Sequence, residues 1–282
     1  MNYRHAFHVG NHADVLKHVV LTRLLAYLNR KEKPYRVIDA HAGIGVYALD
    51  GVEAGKTREW EGGIGKMAAP FTPEVEALLE PYRHVIAALN WDGALRSYPG
   101  SPEIAARMMR DADRLIANEL HPEDKALLAA HFRRDRRVTV TELDAETCVK
   151  AHLPPPERRG LILIDPAYEQ KDEAGKAARM LAEGPKRFAT GIFVLWYPLK
   201  AKGDDETCLQ AAQALGVPGT LMAELRIREA FKEGGLAGSG VIVVNAPWKL
   251  DEDLRALLPA LAARLGLGQW GQGRVEWLVP PV

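Results

Sequence analysis

Cysteine is almost missing: Cys148 and Cys208 are the only two in 282 residues. That excludes a disulfide-stapled scaffold, and because neither has knuckle-type spacing it excludes a cysteine metal site as well. So few thiols suit a reducing cytosol, and a cytoplasmic location is expected. Net charge is missing too, since 37 Lys and Arg balance 37 Asp and Glu. No global basic field advertises a polyanion, so any nucleic acid has to be met by local clusters. Three clusters exist: Arg133 and Arg134 with Arg136 and Arg137, then Arg158 and Arg159, then Arg226 with Arg228. Each is in the first instance a solvated face. Nor does any apolar run approach the ~20 residues that cross a bilayer. The first residues carry Arg4, His5, His8 and Asp14 where a signal peptide would be apolar. No membrane partner is expected.

What is present is an ordinary globular composition, 47% hydrophobic and 26% charged, long enough for one large or two modest domains. A polar, histidine-rich start, 1–12, precedes a helical period at Val15, Leu16, Val19, Val20, Leu24, Leu25 and Leu28. His8 and His12 have the i,i+4 spacing of a helical ligand pair, but Gly10 and Asn11 lie between them. No carboxylate or cysteine completes a recognisable ligand set, so no metal is expected. The better reading of this segment is a mobile lid. Residues 35–45 read as a first strand and a glycine turn. Asp39, Gly43 and Gly45 fit acid-x-G-x-G-x-G except that His41 replaces the first glycine. A dinucleotide dehydrogenase would need a ribose-binding acid about 20 residues on. Glu59 and Glu61 do not stand at a recognisable strand end, so that reading is poor.

Residues 46–100 show no convincing strand, and helical spacing over 74–80 and 82–90 predicts a small helical insertion, 47–100. The core is then 1–46 and 101–282. Ser101 is expected to N-cap the next helix, with Pro102 at its first position. Strands are expected at 113–119, 137–141, 161–164 and 190–198, followed by an alternating stretch, 221–228, and a strand at 241–245. A helix over 251–265 and the segment 275–279 close the chain. Strands separated by helices predict a doubly wound α/β domain.

Within it, Gly160 and four consecutive aliphatic residues, 161–164, read as a strand buried on both faces of a parallel sheet. Asp165 follows at once and Pro166 stops the strand. The acid is thereby placed at the carboxyl end, where open α/β sheets bind ligands. Asp165 and the Pro166 carbonyl can accept hydrogen bonds from an exocyclic amine, and Tyr168 can stack on a flat base. Taken alone, the motif fits a helix cap and a core tyrosine equally well. Its weight comes from its company, because Glu119 ends one strand and Asp144 follows another. A glycine turn and one acid per successive strand end are the layout expected for S-adenosylmethionine, whose ribose hydroxyls and adenine amine need acceptors. Asn245-Ala-Pro-Trp248 imitates the motif, but it follows a late strand expected to be antiparallel and off the cofactor edge, so it reads as structural.

Several longer segments carry a resemblance. They are Tyr3-Arg-His-x-Phe-His-x-Gly-Asn-His-Ala-Asp-Val-Leu-Lys-His18, Asp39-x-His-Ala-Gly, Tyr98-Pro-Gly-Ser-Pro, Glu119-Leu-His-Pro, Arg158-Arg-Gly-Leu-Ile-Leu-Ile-Asp-Pro and Ala246-Pro-Trp-Lys-Leu. Nearly end to end, the chain resembles the bacterial large-subunit rRNA methyltransferase J family. The resemblance implies a Rossmann-like class I S-adenosylmethionine-dependent methyltransferase with a mostly parallel seven-stranded sheet and a small helical insertion. The expected reaction is methyl transfer to N6 of an adenine in 23S rRNA, free or partly assembled, by a monomer. By matching position, His18, His41, Ser101, Glu119, Asp144 and Ala145 would contact the cofactor. Asp165 would be the catalytic acceptor, and Tyr3, with His5 and Lys17 nearby, would meet the RNA, with Pro166 and Tyr168 at the base. His41 is then the family's own feature. The family's usual Asp-Pro-Pro-Tyr reads Asp165-Pro166-Ala167-Tyr168 here. The first proline supplies the carbonyl, so the chemistry is expected to survive with a less rigid loop. Other readings stay open on the residues alone: an adenine-N6 methyltransferase for DNA or another RNA, a protein-amide methyltransferase, a histidine-metal hydrolase, and an RNA-binding module with a degenerate loop.

Overall fold

The computed structural model describes residues 4–169, 172–200, 203–229 and 235–282. The first helix, α1 (His12–Asn29), is capped by Asn11, whose Oδ1 accepts the Ala13 and Asp14 N–H groups at 2.9 and 3.1 Å. It is buried almost all round, which is the signature of a helix enclosed by other layers. After β1 (Arg36–Asp39) come β2 (Val46–Ala48), α2 (Val52–Thr57), α3 (Glu59–Gly62), α4 (Pro73–Leu89) and β3 (Ser97–Pro99).

This region departs from expectation twice. β2 and β3 pair antiparallel, with Tyr47 opposite Tyr98. Strands of three residues show no alternation, so only the tertiary pairing reveals them. Pro81 also does not end a helix but lies inside α4. The buried stripe Val75, Leu79, Tyr82 and Val85 holds both halves of α4 in the core that α1 occupies.

Strands and helices then alternate through α5 (Ser101–Met108), β4 (Arg114–Asn118), α6 (Pro122–Phe132), β5 (Val138–Thr141), α7 (Ala145–His152) and β6 (Gly160–Ile164). They continue through α8 (Glu173–Arg187), β7 (Ile192–Leu199), α9 (Asp204–Leu215), β8 (Thr220–Arg226), β9 (Gly238–Val244), α10 (Leu250–Leu265) and β10 (Gln272–Val279). Ser101 is not the cap of α5. Gly100 holds that position, its N–H bonded to Gly45 O at 2.7 Å, and a Cβ there would come within 3.0 Å of the same oxygen. The helix is thus anchored one residue early, against the glycine turn.

The strand order is β10-β8-β9-β7-β6-β1-β4-β5. Strands β7, β6, β1, β4 and β5 run parallel, whereas β9, β8 and β10 join them through antiparallel pairs. The sheet is therefore eight-stranded and mixed, which corrects the expected seven. Among the described residues no crossover helix lies between β8 and β9, and the two pair antiparallel as neighbours in the chain. Alternate residues of the central strands feed two cores: Val37, Leu161, Leu163 and Val194 face α1, α4 and α10, and Ile38, Ile162, Ile164 and Leu195 face α7–α9. Gly160 is required at the start of β6, where a Cβ would lie 2.2 Å from Arg36 O.

Candidate active site

From β1 the chain winds outward to β4 and β5 on one side and returns to β6 and β7 on the other. The cleft beyond the carboxyl ends of β1 and β6 is therefore the switch point of the sheet. Because these strands are parallel, Asp39, Glu119 and Asp165 fall at one edge, with Asp144 three residues past β5.

Asp165 directly follows β6, with its N–H donated to His41 Nδ1 at 3.1 Å. A backbone N–H can only donate, so Nδ1 is unprotonated, and burial pushes the ring down to about 4. The carboxylate of Asp165 accepts a hydrogen bond from the Lys17 ammonium. Lys17 Nζ also lies 3.0 Å from Asp14 Oδ1, and Asp14 Oδ2 meets His5 Nε2 at 2.9 Å and the Gly10 N–H at 2.8 Å. Side-chain exposure along the chain is 2% at Asp14, 6% at Lys17 and 14% at Asp165. Burial works against the charge on Lys17, but Asp165 and Asp14 overcome it and hold the ammonium above its ordinary range. Burial likewise opposes ionisation of Asp14, yet His5 and Lys17 keep its carboxyl well below the usual range. His5, Asp14, Lys17 and Asp165 thus form one buried polar chain across the N-terminal segment, α1 and β6.

The other expected cofactor contacts line the same rim. Burial raises the Asp39 carboxyl to about 7, against the pull of the Ser101 hydroxyl and the His41 N–H. Glu119 Oε2 accepts the Gly43 N–H at 2.9 Å and Oε1 the His121 N–H at 2.8 Å; burial raises its pKa and these bonds partly offset the rise. Asp144 caps α7 by accepting the Thr147 N–H at 2.9 Å; the Thr147 side chain, and then this N–H, lower its pKa, and Ala145 is the first residue of that helix. His18 is 1% exposed and neutral, with burial pushing it down to about 3. Its Nδ1 lies 3.0 Å from the Tyr98 hydroxyl, and its Nε2 is buried without a partner among the described residues. Gly43 and Gly45 adopt φ of 64° and 90°, and a Cβ on Gly43 would lie 2.1 Å from the Tyr47 hydroxyl. A cradle with no room for side chains, an orphaned buried nitrogen and carboxylates on successive strand ends fit a nucleoside-bearing cofactor.

Some expectations need correction or fall elsewhere. Tyr3 lies outside the described residues. Tyr168 does not present a free stacking face: it is 8% exposed, at φ 55°, with its hydroxyl donated to Trp196 O at 2.8 Å and its ring edge-on to Trp196. The left-handed turn that follows Pro166 folds the ring onto β7. Pro166 is buried beside it. Asn245 ends β9 at the opposite edge of the sheet, and its Nδ2 bonds Ala189 O and Gly191 O, so the imitation motif ties the ends of β7 and β9 together. The arginine clusters also separate. Arg133–Arg137 precede β5 and Arg158–Arg159 precede β6, both at the far edge, whereas Arg226 and Arg228 end β8 at the edge of Asp165. Among the described residues no group of three or more His, Cys, Asp or Glu is placed to hold a metal ion, and no helix is long and apolar enough to cross a membrane.

The sequence reading missed Asp14 and the pair Tyr82 and Tyr98. Asp14 had one signal, its i,i+3 spacing from Lys17 on a helix otherwise apolar on every side.

A doubly wound sheet with this turn and these strand-end acids is an α/β S-adenosylmethionine-methyltransferase-like fold. Over residues 32–279 the chain matches the family described as Ribosomal RNA large subunit methyltransferase D, RlmJ, and it belongs to that family. It is 42% identical over 280 residues to Ribosomal RNA large subunit methyltransferase J of Escherichia coli (strain K12), covering 99% of each chain. The protein of the same description from Haemophilus influenzae is 41% identical over 284 residues, again covering 99% of each. A crystal structure of a Legionella pneumophila protein superposes with a TM-score of 0.85 at 33% identity, covering 95% of this chain and 98% of that one.

Proposed function

We propose that this protein transfers the methyl group of S-adenosylmethionine to N6 of an adenine in 23S rRNA, acting in the cytoplasm as a monomer. The observation that carries the reading is Asp165 at the switch point, paired with Lys17 and backed by His41 and the glycine turn. Glu119 would accept the ribose hydroxyls and Asp144, with Ala145, the adenine. His18, His41 and Ser101 would meet the remaining part of the cofactor. When bound, the cofactor supplies a methyl group on a positively charged sulfur.

The substrate nitrogen is a poor nucleophile because its lone pair is delocalised into the purine. Asp165 and the Pro166 carbonyl accept its two hydrogens, favour the pyramidal form and fix its direction, so that proximity lowers the barrier. As the new C–N bond forms and the S–C bond breaks, the nitrogen becomes strongly acidic and releases a proton toward Asp165 or water. Lys17 now occupies the Asp165 oxygen that the amine needs, so substrate entry exchanges an ammonium N–H for an amine N–H. Flipping the adenine costs a few kcal/mol in a duplex and less in a single strand. With Tyr168 docked on Trp196, base contacts would come from Tyr3, His5, Lys17 and Pro166. The helices of residues 47–100 would serve as an insertion flanking the cofactor side.

Asp165→Ala is expected to keep cofactor binding by calorimetry and to abolish methyl transfer to 23S rRNA. Equal turnover by variant and parent rejects the assignment. Nucleoside mass spectrometry of rRNA from cells with and without the gene identifies the methylated position, and an unchanged N6-methyladenine content would point to DNA or another RNA.

A further inference from the structure

Three aromatic residues behind the rim form a closed hydrogen-bonded row. Tyr82 on α4 and Tyr98 on β3 place their hydroxyls 3.1 Å apart, and the Tyr98 hydroxyl is 3.0 Å from His18 Nδ1 on α1. The rings of His18 and Tyr98 stack with centroids 5.5 Å apart at 25°. All three side chains are 1% exposed or less. Among the described residues the Tyr82 hydroxyl has no second partner, and His18 Nε2 has none at all.

Three proton arrangements satisfy both bonds. In one, Tyr82 donates to Tyr98 and Tyr98 donates to Nδ1, so His18 carries its proton on Nε2 and that N–H is the single orphan. In the second, Nδ1–H donates to Tyr98 and Tyr98 to Tyr82, and the Tyr82 hydrogen and the Nε2 lone pair are both buried without partners. In the third, Nδ1–H and Tyr82 both donate to the Tyr98 oxygen, and the Tyr98 hydrogen and the Nε2 lone pair are the orphans. One orphan is less costly than two, because each buried polar group left unpaired forfeits its hydration.

We propose that Tyr98 and Tyr82 are positioning residues that hold His18 as the Nε2–H tautomer, a neutral donor presented to the carboxylate end of the cofactor. The assignment rests on the cofactor reading above. The rim divides by chemistry: Glu119 and Asp144 are acceptors suited to hydroxyls and amines. The carboxylate is the cofactor group that needs donors, and these lie on the side of His18, Ser101 and the glycine turn. The insertion thus reaches the cofactor through two hydroxyl groups, without touching it.

The test uses the full-length protein and three readouts. Imidazole 15N spectra of the ligand-free protein should show His18 protonated on Nε2 in the parent and mixed tautomers in Tyr98→Phe. By calorimetry, Tyr98→Phe should weaken S-adenosylmethionine about tenfold, the scale of one lost buried hydrogen bond. The same variant should change affinity for 5′-methylthioadenosine, which lacks the amino-acid tail, less than twofold. Tyr82→Phe, one bond further out, should give a smaller loss with the same selectivity and serves if Tyr98→Phe does not fold. An Nδ1–H tautomer in the parent, or equal effects on both ligands, overturns the proposal while leaving the cofactor reading intact. A parent that binds neither ligand overturns both.

Discussion

Replacing Lys17 tests the site most sharply, because the cost should differ from that of replacing its partner. The ammonium lies 3.0 Å from Asp14 and bonds Asp165, with 6% of the side chain exposed. At an effective dielectric of about 20, one such contact amounts to roughly 5 kcal/mol, much of it returned as desolvation. Lys17→Met leaves two carboxylates facing each other, the loss of one member of a buried ion pair, which costs about 3–5 kcal/mol. Asp165→Asn leaves Lys17 still paired with Asp14. It removes the more exposed partner, where screening reduces the loss to about 1–2 kcal/mol. The double variant should be more stable than Lys17→Met alone, since removing the Asp165 charge relieves the repulsion. Urea denaturation of the four proteins at pH 7 gives the cycle directly. Equal single costs, or a double variant as unstable as their sum, would show that the ammonium does not hold the two acids together.

Two further outcomes follow from charges elsewhere. The Asp39 carboxyl moves from an ordinary 3.8 to about 7 on folding, so the native state binds its proton more tightly, and stability falls as pH rises through that window. At about 1.4 kcal/mol per tenfold in proton affinity, the ceiling is on the order of 4 kcal/mol, and Asp39→Asn should raise Tm more at pH 8 than at pH 5. Equal gains at both pH values would contradict a buried carboxylate. For RNA, Arg226→Ala should weaken binding and reduce the salt slope by about 1, whereas Arg134→Ala, at the far edge, should leave both unchanged. The reverse result in a salt titration would move the RNA track to the other edge.

The parts legible from sequence were those with strong local signals. Gly160 and the four aliphatic residues after it could be little else than a doubly buried strand, and Asp165 followed from it by one residue. The helical period of α1 was as clear. What escaped depends on contacts far apart in the chain. The β2–β3 ladder joins residues some fifty positions apart, the hairpin placement of β9 between β7 and β8 follows from the sheet and not from its own residues, and Ser101 loses the cap because Gly45 claims Gly100. Tyr168 read as a stacking platform because its exposure was invisible. Its burial is set by Trp196, 28 residues later.

The rim also separates cheap contacts from costly ones. The N-terminal segment is fastened by Arg4 to Asp124, by His8 and Asn11 to Glu59 and by the Thr57 hydroxyl to Phe7 O. The ion pairs among these are partly solvated, with Arg4 35% and Glu59 37% exposed, and such pairs contribute about 0–1 kcal/mol each. The chain from Asp14 through Lys17 to Asp165 is buried and cannot open into solvent at that cost. Lifting the segment costs these weak outer clasps and the His5 and Gly10 bonds to Asp14, while Lys17 keeps Asp165 paired. Release of the inner contact calls for a donor that replaces the ammonium N–H on Asp165, and a substrate amine would be such a group.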